Sequence, residues 1–151
     1  MVDDVEKNSY LLSAEHDDKI HTAFEAGLQA WGEIIALGAA ISWLEKLPDS
    51  AKERLEFCET KLFDFLKSQP KIHCLNQEKS TTFSFYVEGI NSHLLAEALS
   101  DQNIMVRSGY FCVHYYLDHK MHFPPLVRVS LGYQTTESDI NKLIAILRKF
   151  N

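Results

Sequence analysis

The chain has 151 residues, 46% hydrophobic and 24% charged, proportions that suit one globular domain or one with an appendage. Its net charge is 15 − 21 = −6, so it lacks the basic footprint that phosphate backbones require, and nucleic acid is not an expected partner. Three cysteines without CxxC spacing argue against a secreted disulfide framework and suit a reducing, cytoplasmic setting.

Residues 1–23 are polar and carry no clear period; they read as an arm that needs a neighbour. The opening "MVDDVEKNSYLL" has no basic stretch followed by an apolar run, so it is not read as a signal peptide. Residues 28–46 follow a helical pattern. Trp31, Ile34, Ile35, Leu37, Ile41, Trp43 and Leu44 cover most of its circumference, which predicts burial on several sides. Gln29, Glu33 and Ser42 interrupt the apolar run, so no membrane span is expected. Gly32 and Gly38 cost helix propensity and suggest another backbone packing close by. Pro48 is expected to end the helix.

Ser50 and Glu53 make a capping-box pattern for a second helix, with Leu55, Cys58, Leu62, Phe65 and Leu66 on one face. Cys58 sits in that stripe as a small apolar core residue. After Pro70 come a short strand, "KIHCL", and a longer one, "TTFSFYV". In the latter Phe83, Phe85 and Val87 alternate with Ser84 and Tyr86, so one face is buried. Cys74 is expected to pack and His73 to lie at an edge. Ser92 suits the N-cap of a short helix, and Asn103 a left-handed position after it.

"IMVR" (104–107) reads as a strand, Ser108-Gly109 as a turn, 108–124 as a loop, and "PLVRVSL" as another strand. Thr136 and Asp139 start a last helix with Ile140, Leu143, Ile144, Leu147 and Phe150 on one face. The predicted fold class is α+β: three or four strands, antiparallel or mixed, with helices packed on one face.

Strand alternation sends Arg107 and Arg128 away from the apolar face, and the loop holding Cys112 joins their strands. Guanidinium groups match a carboxylate with two bonds, and nearby positive charge favours a thiolate. The two arginines and Cys112 could thus form an anion-binding site that carries a thiol. Ordinary surface ion pairing of both arginines is the competing reading. Cys112, His114, His119 and His122 also spell C-x-H-x4-H-x2-H. That spacing matches no established zinc module, and no metal is expected.

"VRSGYFC", followed sixteen residues after its cysteine by Arg128 in "VRVSLGYQTTESDI", resembles the C-terminal part of class V aminotransferases. The branch it resembles is that of the cysteine desulfurases and selenocysteine lyases. "FEAG" (24–27) with "IIALGAAISWLE" and the opening "MVDD" resemble earlier segments of the same enzymes. The resemblance implies the small C-terminal domain of a fold-type I enzyme that uses pyridoxal phosphate. Residues 1–27 would be an arm ending the large domain, and 28–151 the small domain.

By the same resemblance, Arg128 would grip the substrate carboxylate and Arg107 would lie at the site margin. Cys112 would take sulfur from L-cysteine as a persulfide, releasing alanine. Gly27, Leu28 and Gln29 would approach the cofactor phosphate, although Leu28 stands where the family has a hydroxyl donor. Tyr110 and Phe111 stand where the sulfur branch often has histidines. The cofactor's lysine would lie on a large domain upstream, so the chain by itself is expected to be inactive. Implied partners are that domain, a second copy of the chain and a sulfur-acceptor protein. Two alternatives stay open: another class V activity that leaves Cys112 unused, or a non-catalytic domain docking on a partner that carries the cofactor half.

Overall fold

A computed structural model describes residues 27–150. The motifs noted in residues 1–26, "MVDD" and most of "FEAG" included, lie outside them. The chain divides into two compact units, Met1–Lys46 and Leu47–Asn151.

In the first unit, helix α1 spans Trp31–Glu45 and is capped by Lys46. It starts three residues later than its pattern predicts and ends before Pro48 is reached. None of its residues is buried, which corrects the expectation of burial; Trp31 is 60% and Ile35 74% exposed. Among the described residues nothing lies within 4 Å of a side chain built at Gly32 or Gly38, so none of them supplies the close backbone expected there.

The second unit opens with α2, Asp49–Ser68. Pro48, held extended at φ −64°, takes the N-cap position, so the predicted Ser50–Glu53 box does not form. Ala51, Leu55, Cys58, Leu62, Phe65 and Leu66 form its buried stripe. Four strands follow, interleaved with helices: β1 Ile72–Cys74, β2 Thr82–Val87, β3 Arg107–Gly109 and β4 Leu126–Ser130. They make one antiparallel sheet in the order β1-β2-β4-β3. Helix α3 spans Ser92–Ser100 and α4 spans Glu137–Leu147.

One sheet face is apolar. Ile72, Phe83, Phe85, Val87, Val127 and Val129 turn inward and share a core with Leu62, Leu66, Leu95, Leu99, Ile140 and Leu147. The architecture is the predicted α+β class, with helices on the apolar face. Cys58 is fully buried in this core, and burial pushes its thiol pKa up.

Caps agree with the sequence in one case and shift in another. Thr136 and Asp139 form the expected box at α4: each side chain bonds the other's backbone N–H, at 3.3 and 2.9 Å. At α3 the cap is Asn91, whose side chain accepts from the N–H groups of His93 and Leu94. Ser92, expected there, is buried instead and donates its hydroxyl to the carbonyl of Pro125. Asn103 is left-handed as predicted, with φ 58°.

Candidate functional site

The polar face of the sheet carries the residues singled out from sequence. Antiparallel register sets Arg107 directly opposite Arg128, with Ser84 opposite Arg128 on the other side. Val127 and Val129 flank Arg128 in sequence and are buried, so its side chain leaves on the far face. Two like charges in one cross-strand pair repel each other. Among the described residues no acidic group answers either guanidinium, and no side-chain hydrogen bond engages one. The competing reading, ordinary surface ion pairing, therefore fails within the described residues. The two arginines instead line an open pocket of about 220 Å³ with Met105, Val106 and Ser130.

The strand carrying Arg107 is shifted from its prediction. Ile104, Met105 and Val106 stand outside the ladder, and β3 begins at Arg107 and includes Ser108 and Gly109. Ser108 is no turn residue: its hydroxyl lies 2.9 Å from Nδ1 of His93 on α3, which ties the strand to that helix. Gly109, at φ 121°, takes a conformation that side chains disfavour and lets the chain leave the sheet.

The real turn comes three residues later. Phe111 and Cys112 have φ 53° and 65°, and the Val113 N–H donates to the Tyr110 carbonyl at 2.9 Å. Two positive φ values closed by that bond describe a turn of type I′ form, which favours glycine and asparagine. Phenylalanine and cysteine at its centre are strained. The Cys112 side chain is exposed at the apex. Beneath it, the Arg128 guanidinium carbon lies 4.8 Å from the centre of the Phe111 ring. The turn that presents the thiol thus rests on the arginine.

The rest of the loop is anchored on the same face. Tyr115–Lys120 forms a single π-helical turn, and its Leu117 is buried. Phe123 meets Tyr86 at 6.3 Å between ring centres, and Tyr86 stacks on His73 at 4.6 Å. His73 is exposed on edge strand β1, and Cys74 is half-buried against the core, its thiol pKa raised by burial. Partial desolvation, then the Asp118 carboxylate, push the Tyr110 phenol upward as well. Among the described residues no three His, Cys, Asp or Glu side chains group closely enough to hold a metal ion.

Arg107, Arg128 and the Cys112 turn are therefore brought together. Gly27, Leu28 and Gln29 belong to the other unit, ahead of α1. Leu28 is fully exposed and has no hydrogen-bond donor in its side chain; Gly27, at φ 116°, offers backbone only. The described residues fit a small oxyanion between the arginines far better than they fit a cofactor phosphate. Sequence reasoning missed Phe111 as a partner of Arg128. The signal available was an aromatic residue beside the cysteine, on a loop joining the two arginine strands.

The α+β fold with its four-stranded antiparallel sheet is shared with solved fold-type I enzymes. It resembles solved cysteine desulfurases from Escherichia coli (TM-score 0.71, 22% identity, 83% of this chain and 31% of that one) and Thermococcus onnurineus (TM-score 0.71, 23% identity, 83% and 32%). A protein of Pseudomonas aeruginosa named a probable cysteine desulfurase is 31% identical over 136 residues, covering 87% of this chain and 34% of its own length. The aminotransferase class-V family model matches residues 1–143, and the chain belongs to that family. It spans about a third of the length of the curated relatives it matches. No described helix is long and apolar enough to cross a membrane.

Proposed function

We propose that this chain forms the part of a cysteine desulfurase that holds the substrate carboxylate and receives its sulfur. The observation that carries the reading is the facing pair Arg107 and Arg128, free of protein counter-ions among the described residues, with the Cys112 turn resting on Arg128. Arg128 takes the carboxylate in its fork, and Arg107 adds charge from the pocket margin. Cys112, exposed on a tight turn, accepts the sulfur of L-cysteine as a persulfide and passes it to an acceptor protein. Pyridoxal phosphate, bound by a large domain, supplies the electron sink for breaking the carbon–sulfur bond. Gly27 and Gln29 are the residues here that approach it, with residues 1–27 as the arm of that domain and a second copy of the chain as a further partner. The reading sets the protein in the cytoplasm.

The arginine pocket has no lysine in its lining. The chain mixed with pyridoxal phosphate and L-cysteine is accordingly expected to release no more sulfide than a Cys112→Ser variant. The positive test is a chimera in which this chain replaces the matching third of the Pseudomonas aeruginosa relative. It should release alanine and sulfide from L-cysteine. Arg128→Ala should raise KM about ten- to hundredfold, the weight of one charge-assisted pair. A chimera that binds the cofactor and yields no alanine from L-cysteine would sink the reading.

A second reading is another class V reaction that leaves Cys112 unused. It is favoured by Tyr110 and Phe111, which bring no imidazole to the two positions before the cysteine. Under that reading the Cys112→Ser chimera turns over its substrate as fast as the parent.

A further inference from the structure

We infer that Phe111 is a positioning residue, acting through Arg128, that makes the thiol of Cys112 respond to what the arginine holds. The inference rests on the carboxylate reading of Arg128 and adds a role for a residue outside that reading.

Three properties set the Phe111 ring apart. Its contact with the Arg128 guanidinium, at 4.8 Å, is its one ring or charge contact among the described residues. It occupies the first of two consecutive left-handed positions, a backbone state that a phenylalanine does not choose by itself. It adjoins Cys112, whose side chain is exposed and makes no hydrogen bond among the described residues. Besides the backbone bond from Val113 to Tyr110 and the contact of the Tyr110 and His114 rings at 5.3 Å across its base, the ring on the arginine holds the turn, and it alone ties the turn to Arg128.

The contact is also compatible with a bound anion. A cation over a ring meets its π-face, whereas a carboxylate is gripped by N–H groups in the guanidinium plane. No described residue accepts from those N–H groups. The ring can therefore hold Arg128 while leaving donors for a carboxylate. Arg107, opposite on β3, would otherwise push the Arg128 guanidinium away. The ring opposes that displacement and couples it to the Cys112 turn.

The test uses two alkylating reagents that differ in charge. Iodoacetate carries a carboxylate; iodoacetamide does not. Each reacts at Cys112 with loss of iodide, and the modified peptide is measured by mass, with buried Cys58 as an internal control. The readout is the ratio of the two rates, which cancels changes in thiol exposure. In the folded chain the ratio should exceed that of the urea-unfolded chain, and Arg128→Gln should return it to the unfolded value. Phe111→Leu should lower it by about two- to fivefold, as expected for loss of one cation–π contact, and Phe111→Tyr should restore it.

Two results overturn the inference, and they are distinguishable. If Phe111→Leu keeps the parent ratio while Arg128→Gln loses it, Phe111 has no positioning role and the carboxylate reading stands. If Arg128→Gln keeps the parent ratio, the carboxylate reading falls and takes this inference with it. Circular dichroism checks that each variant is folded. Should Phe111→Leu unfold the chain, Phe111→His decides by the same ratio: its neutral ring at high pH is expected to lower it.

Discussion

Cys112 sits where a glycine would be comfortable. Its φ of 65° puts the side chain in a backbone region that costs L-residues about 1–2 kcal/mol. Strain of this kind persists where the surroundings impose it, and it gathers at functional sites. Glycine would relieve it but would add freedom to the unfolded chain, which offsets part of the gain. Cys112→Gly is expected to stabilise the fold by about 0.5–1 kcal/mol, seen as a higher urea midpoint at unchanged slope. A drop in midpoint would mean that the thiol makes a stabilising contact. The position of Cys112 on a loop between two arginine strands was legible in the sequence, because alternation alone sends Arg107 and Arg128 to the polar face. The strained turn was not. Ser108-Gly109 carries the local turn chemistry, yet both residues complete β3, and the turn falls on Phe111-Cys112, which have none. Tertiary contacts, the His93 bond to Ser108 and the ring on Arg128, override the local preference there.

Elements whose signals reside in side chains near in sequence were read well. The α2 stripe, the β2 alternation and the α4 box all follow a fixed period or a three-residue spacing. The α2 cap moved two residues, from Ser50 to Pro48, and the α3 cap moved one, because a competing partner was out of sight: Ser92 turns inward to the Pro125 carbonyl, so Asn91 caps α3. Two consequences belong to this scale. Phe85→Ala removes a fully buried ring from the centre of the sheet and should cost about 3–5 kcal/mol, measured by urea unfolding. At α4, the Thr136 hydroxyl donates to Asp139 at 2.7 Å, and that bond, then the Thr136 N–H, holds the Asp139 carboxyl below its ordinary pKa of 3.8. A carboxyl depressed in the folded state contributes its stability in full above its unfolded pKa. It loses that contribution as pH falls through the lower folded value. The melting temperatures of the parent and Asp139→Asn should therefore differ most near neutral pH and converge in acid. A gap that widens on acidification would contradict this.

At the scale of the whole molecule, α1 stands apart from the rule that apolar residues are covered. Ile35 is 74% exposed and Leu37 61%, and they project about 200° apart around the helix axis, so no single face is at fault. Periodicity legibly marked the helix as apolar nearly all round; it could not say what covers it, since that information is not in the helix. Apolar surface on several sides favours association, and a second copy of the chain always supplies a matching surface. The chain is expected to scatter light as more than one copy at high concentration. Ile35→Glu with Leu37→Lys places opposite charges on two sides of α1 and leaves the core of Leu47–Asn151 untouched. That variant should scatter as a single chain, because burying either unpaired charge in an apolar contact costs more than the contact returns. Its urea midpoint should match the parent's once both are measured dilute, since neither residue is buried. A parent chain that remains a clean monomer throughout the concentration series would show that the apolar helix does not drive pairing of copies.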